Sequence, residues 1–267
     1  MDGVESAETM MSTANGLVLR PVMGIRLGRG RTGGSTFVDM LVQRARTAGR
    51  KVVIADGDLR NSTLSGLYPP GTAGGALQPQ SDDLVDMKDL FTTALGQAVS
   101  DGASLLVDFG GGDRVMLEYG RELSLVEMAE GLGLVPLAIF VTGPEMDDFD
   151  HILSLWRSGV FRPAHSLLVL NEHLIPNGRS PEGAFRSLMD RPEFSQLGEE
   201  GLKPIVMPRL PCMSHVRDAG LSVVDAMKGK AGKKGVPLDP VRQFMVKTWL
   251  KRLETVFAEE DVIEWLP

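Results

Sequence analysis

The sequence predicts a doubly wound, mainly parallel α/β sheet with helices on both faces, and three observations carry that prediction. Short apolar runs recur without polar alternation, as strands buried on both faces require. Segments with apolar residues at helical spacing separate them. Several runs end in glycines or carboxylates, the residue types that gather at the carboxyl edge of an open parallel sheet.

Taken in order, residues 1–16 are polar and are expected to form a mobile N-terminal segment, leaving 17–267 as a single domain. Residues 17–27 read as an extended run that stops at a glycine loop. Residues 34–48 have helical spacing, with Phe37, Met40, Leu41 and Ala45 on one face. "KVVIADGD" (51–58) is a short apolar strand closed by carboxylates, and 69–83 is a turn-rich loop. A helix is expected over 86–100, then a strand in "ASLLVDFGGGD" (103–113). Asp113 is placed to cap a helix over 115–130. "LVPLAIFV" (134–141), "HSLLVLN" (165–171) and "KPIVM" (203–207) supply three more buried strands, and 240–258 the last helix.

Composition narrows the function. The 267 residues are 43% hydrophobic and 24% charged, as in ordinary globular proteins. The apolar runs are too short to span a bilayer. The first fifteen residues lack a basic start followed by an apolar block, so no signal peptide is expected. One cysteine, Cys212, precludes an internal disulfide framework and suits a reducing cytoplasm. The net charge of −7 removes bulk attraction to polyanions, leaving only a local basic patch for that purpose.

The stretch "IRLGRGRTGGSTFVDMLVQRA" (25–45) is a near match to the phosphate-binding pattern G-x-x-x-x-G-K-[ST]. Gly28, Gly33 and Ser35 are correctly spaced, but Gly34 stands where the pattern has lysine. Two further strand ends fall on the same edge of the sheet: Asp56-Gly57-Asp58, and Asp108 followed by Gly110-Gly111-Gly112. Magnesium takes hard oxygen ligands, so the Ser35 hydroxyl with a carboxylate behind it suits that ion, while a second carboxylate can orient water.

In this order the motifs resemble the ParA/MinD group of SIMIBI-class P-loop ATPases, whose deviant Walker A motif reads K-G-G-x-G-K-[ST]-[ST]. "RGRTGGST" (29–36) lies on that motif, "KVVIADGDLRNSTLSGLY" on the Walker A′ strand and "SLLVDFGGGD" on the Walker B strand. "SLLVLNEH" and "KPIVMPRLP" lie on the two strands beside the base. The resemblance runs over roughly 20–257 and implies definite roles. The backbone of Gly30, Arg31, Thr32, Gly33, Gly34, Ser35 and Thr36 would wrap the phosphates of ATP or ADP. Ser35, Asp56 and Asp108 would hold Mg2+ and its shell, and Asp58 would orient the attacking water. Asn171 would hydrogen-bond adenine, with Pro208 and Arg209 bordering it. ATP would close a homodimer in which Arg29 reaches the partner's phosphates.

The departures sit in the loop itself. Arg29 and Gly34 replace the two lysines, and Arg31 replaces the second glycine. Arg29 retains a charge that can pair with phosphate; Gly34 retains none. Loss of a phosphate-stabilising cation can lower turnover by ~10³ or more, unless Arg31 swings in. On this reading Gly34→Lys is sterically acceptable and raises both ATP affinity and turnover.

Two functions follow. One is a nucleotide-dependent dimerisation switch, in plasmid or chromosome partition or in positioning a cellular assembly, with a partner protein. The other is a pseudo-ATPase scaffold with weak or absent turnover. Lys228, Lys230, Lys233 and Lys234 form a basic loop that either contacts DNA backbone or is simply solvated. The C-terminal helix, with Phe244, Trp249, Leu253, Val256 and Phe257 as its apolar face, is expected to dock on the core rather than on a membrane. None of the four histidines has metal-ligand spacing. Bacterial tyrosine kinases share a pattern like "DGDLR" (56–60), but a tyrosine-rich tail is lacking.

Overall fold

The computed structural model describes residues 20–110 and 113–267. The expected N-terminal segment and two of the three glycines after Asp108 lie outside the described residues. In chain order the elements are β1 (Val22–Leu27), α1 (Gly34–Thr47), β2 (Val52–Asp56), α2 (Thr63–Leu67), β3 (Ala76–Leu77) and α3 (Leu84–Asp101). There follow β4 (Ser104–Asp108), α4 (Asp113–Glu122), α5 (Leu125–Gly131), β5 (Val135–Thr142), α6 (Met146–Ser158) and β6 (His165–Asn171). The chain closes with α7 (Pro181–Met189), α8 (Pro192–Glu199), β7 (Leu202–Met207), α9 (Met213–Asp218), α10 (Val223–Met227) and α11 (Pro240–Glu259).

The strands form one sheet in the order β3-β2-β4-β1-β5-β6-β7, and every described pair is parallel. Both faces are covered, which is why the strands read as continuous apolar runs. Met23, Ile25 and Leu27 of β1 face the helices α3 to α8. Val22, with Ile54 and Leu106 of neighbouring strands, faces α1, α2 and α9 to α11. Alternation along β1 therefore turns residue 26 toward α1. That position is Arg26, a charged side chain on an otherwise apolar face.

Three sequence expectations are corrected. The single helix over 115–130 is two, broken around Ser124, where α5 begins. The turn-rich loop 69–83 carries the edge strand β3, and α2 lies just before it. Phe244 is not on the docked face of α11: it is 68% exposed, whereas Val246, Trp249, Leu250, Leu253 and Phe257 are buried. Five residues separate Phe244 from Trp249, about 140° around a helix, so the two cannot share one stripe. The docking of α11 on the core is as expected. No described helix is long and apolar enough to cross a membrane.

Chain order and strand order together place the site. β1 is central, and the chain leaves it toward β2 on one side but later enters β5 on the other. Ligand crevices in open α/β sheets form at such a reversal, outside the carboxyl ends of the strands. The loop after β1 and the ends of β2 and β4 share that crevice.

Candidate functional site

The site is built on one row of three residues. Arg26 is in register with Asp108, and Asp108 with Asp56, so the last turns of β1, β4 and β2 present one cation between the helix and two carboxylates. Arg26 is 2% exposed and Asp108 1%. The Arg26 guanidinium lies 3.8 Å from the Asp108 carboxylate. Its two terminal nitrogens donate to the carbonyls of Gly28, Arg29 and Gly110 and to the Thr32 hydroxyl. The guanidinium therefore fills the interior of the loop from below and ties it to the end of β4. Two buried atoms of this pair, Arg26 Nε and Asp108 Oδ2, have no hydrogen-bond partner among the described residues.

Two glycines accommodate this arrangement for different reasons. Gly33 has φ of 91°, a left-handed conformation that side chains resist. Gly34 has an ordinary φ, but a Cβ there would sit 2.1 Å from Arg26 Nε and 2.8 Å from its Cδ and Cζ. The lysine position is thus glycine because the arginine beneath occupies the room. This overturns the expectation that Gly34→Lys is sterically acceptable.

The N–H groups of Gly33, Gly34 and Ser35 meet no acceptor among the described residues. They open α1, a 14-residue helix whose positive dipole end favours an anion. Ser35 is half-buried and its hydroxyl has no described partner, whereas the Thr36 hydroxyl accepts from Arg217 at 2.9 Å. Gly30 and Arg31 are exposed.

Arg31 has φ of 66°, in the left-handed region where the resembling motif has its second glycine. That conformation costs a non-glycine residue about 1–2 kcal/mol. Arg31 has no described hydrogen bond or ion pair. Arg31→Gly is expected to stabilise the fold by about 0.5 kcal/mol, the relief of strain less the added freedom of the unfolded chain. A denaturant midpoint lower than that of the wild type would show that the side chain is held by more than its backbone.

The remaining predicted residues fall into two groups. Around β2, the Asp56 carboxylate accepts from Ser65 N–H at 2.7 Å, Ser65 hydroxyl at 2.8 Å and Asp58 N–H at 3.2 Å. Burial raises its pKa, the Ser65 bonds oppose that, and Asp108 adds to the rise. Asp58 Oδ1 accepts from the N–H groups of Arg60 and Asn61, and its Oδ2 lies against Gly110. Arg29 is half exposed and pairs within its own chain with Asp148 at 3.5 Å, at the start of α6. Pairs of that kind contribute about 0–1 kcal/mol, so Arg29 is easily redirected.

At the edge where the resemblance places the base, Asn171, Pro208 and Arg209 all make contacts within the protein. Asn171 donates from its amide to Thr32 carbonyl at 2.8 Å and accepts from His173 N–H at 3.0 Å. Each amide atom is engaged once within the protein, so Asn171 braces the loop and keeps one N–H and one lone pair beyond those bonds. Arg209 is likewise committed, to Glu172, Ile175 and Asn177, and the Pro208 carbonyl accepts from Trp249 at 2.6 Å. The cavity there is only about 100 Å³.

The larger cavity, about 780 Å³, lies on the other side of the loop and is within the usual range for ligand pockets. Arg29, Arg31, Arg60 and Arg114 face it, against Asp58 and Asp82. Three of these arginines are paired, Arg29 with Asp148, Arg60 with Asp82 and Arg114 with Glu118, which leaves Arg31 as the arginine of this wall with no described partner.

Two contacts here escaped the sequence. Asp113 does not merely begin α4: its Oδ1 accepts from Gly28 N–H at 3.0 Å and its Oδ2 meets Nε2 of His151 on α6. The first loop residue is therefore tied to two helices at once.

Magnesium, which the resemblance implies, finds a poor donor set. Asp56 is engaged with Ser65 and Asp58, and Asp108 already faces a fixed guanidinium. The Ser35 hydroxyl, Asp108 Oδ2 and Asp58 Oδ2 have no described hydrogen-bond partner, but no cluster of three or more histidine, cysteine or acidic side chains forms among the described residues. These residues fit a built-in cation rather than a divalent ion.

Together these give an α/β fold of seven parallel strands with a glycine loop running from β1 into the first helix. Similar solved structures include the signal recognition particle receptor FtsY from Elizabethkingia anophelis, at a TM-score of 0.48 and 14% identity over 92% of this chain and 71% of that one. Chloroplast FtsY from Physcomitrella patens has a TM-score of 0.48 and 15% identity over 92% and 72%. Cell division protein ftsY from Thermotoga maritima has 0.45 and 13% over 92% and 75%. No family model and no curated protein matches the sequence.

Proposed function

We propose that this chain binds a nucleoside polyphosphate on the loop after β1 and uses it as a conformational switch, with little or no turnover. The observation that carries the reading is the set of N–H groups at Gly33, Gly34 and Ser35 with no described acceptor, above a buried guanidinium and on a loop whose Arg29, Gly30 and Arg31 line the large cavity. Backbone donors and a helix dipole need no side chain, so the missing lysine does not abolish phosphate binding.

Of the two functions drawn from the sequence, the pseudo-ATPase scaffold is the better supported. Phosphoryl transfer needs charge on the migrating group and an oriented water. Here the buried cation has its terminal N–H groups taken by protein oxygens, and Asp58 Oδ1 is occupied by backbone. Asp58 Oδ2 and Arg31 are the groups left to act on water and phosphate. We assign the switch to self-association: ATP held by one chain would draw Arg29 from its weak pair with Asp148 toward a second chain's phosphates. Partition or positioning of a cellular assembly, a partner protein and DNA contact through Lys228, Lys230, Lys233 and Lys234 belong to the same reading. Lys230 already pairs with Asp225 at 2.6 Å.

Titration calorimetry with ATP, ADP, GTP and GDP, followed by sedimentation in each nucleotide, tests the proposal. The expected result is measurable binding, phosphate release near background, and a larger sedimentation coefficient with a triphosphate that Arg29→Ala removes. Failure of all four nucleotides to bind would reject it.

A further inference from the structure

We propose that Arg26 is the resident cation of this loop, supplying from β1 the positive charge otherwise brought by a helix lysine and a divalent metal, so that phosphate is held without magnesium. The inference deepens the nucleotide-binding reading and rests on it.

Four observations converge. Arg26 is buried directly beneath the loop, and its terminal nitrogens bind oxygens of Gly28, Arg29, Thr32 and Gly110. The loop is therefore shaped before any ligand arrives. Arg26 and a side chain at position 34 exclude each other, because a Cβ there would lie 2.1 Å from Arg26 Nε. The missing lysine and the unusual strand arginine are then one exchange of a charge between two elements. Asp108, the carboxylate that would stand behind a metal, has this guanidinium at 3.8 Å instead. Finally, Asp56 is satisfied by Ser65 and Asp58 and offers no free oxygen pair to a metal shell.

A guanidinium differs from a metal in ways that can be measured. It does not dissociate with the ligand, and its charge is covalently fixed to the chain. Because its terminal N–H groups are occupied, Arg26 acts on a bound phosphate through its charge and through the loop it shapes, as a positioning residue. The direct donors remain the backbone N–H groups of Gly33, Gly34 and Ser35. Binding should therefore carry no metal linkage, and free nucleotide should bind as well as its magnesium complex.

The test is calorimetric titration of the full chain with ADP and with inorganic pyrophosphate, in EDTA and in excess magnesium. The expected affinities agree within about threefold; a loss of about tenfold or more in EDTA, 1.4 kcal/mol, overturns the proposal. A second arm moves the charge. Arg26→Met should weaken binding about tenfold or more, and Arg26→Met combined with Gly34→Lys should recover most of it while becoming magnesium-dependent. Should the single variant fail to fold, the double variant and the EDTA comparison still decide. Undiminished binding by a folded Arg26→Met variant overturns the proposal. Wild-type binding that requires magnesium overturns it while leaving the nucleotide switch intact; no wild-type binding in either buffer overturns both.

Discussion

Arg26→Met is expected to destabilise the protein by about 3–5 kcal/mol, the largest loss of any single substitution at the site. The side chain is 2% exposed, and so methionine fills much of its volume and the transfer of apolar atoms is not the issue. What is lost is the charge beside Asp108, a carboxylate 1% exposed whose Oδ2 has no donor among the described residues. Removing one partner of a buried pair leaves the other charge uncompensated, which is far more damaging than removing both. Three loop carbonyls and one hydroxyl also lose a donor, though those near the surface can turn to water. The ordering of three variants follows. Arg26→Met should be the least stable, Arg26→Met with Asp108→Asn should recover part of the loss, and Arg26→Lys should fall between wild type and Arg26→Met. Lysine keeps the charge but cannot reach both sides of the loop with one planar head. Chemical denaturation of the four proteins measures this, and equal stability of Arg26→Met and wild type would mean that Asp108 does not depend on the guanidinium.

The sheet was legible because its signal is redundant. Each strand is a buried apolar run, and an error at one end still lands it in the right place, as at β1, Val22–Leu27 within the run expected over 17–27. The glycine loop was legible for a similar reason, since Gly28 and Gly33 set its span. What the sequence did not yield is the interior of the loop. Arg26 sits within "VMGIRLG", and a lone charge on a strand otherwise buried on both faces is itself a signal, because burial of an unpaired arginine is prohibitive. Periodicity even gives its direction, toward the helix that follows. Its partners were not readable, since Asp108 and Gly110 lie more than eighty residues away. The roles at Asn171 and Asp113 were hidden differently. A motif names residue types at positions, but not which of their atoms the surrounding backbone already occupies. Asn171 is bound to Thr32 and His173, and Asp113 to Gly28 and His151.

Gly34→Lys is the substitution on which sequence and structure disagree most sharply. The motif argues for a gain in affinity, since it restores the residue that phosphate loops carry. The geometry argues for loss, because the new Cβ alone would stand 2.1 Å from Arg26 Nε and 2.8 Å from Cδ and Cζ. Those atoms are not the loose end of a surface side chain. Arg26 is anchored through both terminal nitrogens, so it yields only by breaking those bonds and backing away from Asp108. Overpacking of this kind costs about 1–3 kcal/mol, and the disturbed pair with Asp108 adds to it. Against that, lysine is a better helix former than glycine by up to about 1 kcal/mol. The expected balance is a loss of about 2–4 kcal/mol with no gain in nucleotide affinity. Gly34→Ala separates the causes, because alanine brings the same Cβ without charge or length and is the best helix former of all. By propensity it should stabilise α1 by about 1 kcal/mol; by the contact with Arg26 it should destabilise. The sign should reverse when Arg26→Met replaces the anchored guanidinium with an unanchored chain whose end can turn aside. Thermal denaturation of the two single variants and the double variant reads that reversal directly. An increase in stability for Gly34→Ala in the otherwise unchanged chain would show that Arg26 does not occupy the lysine's place.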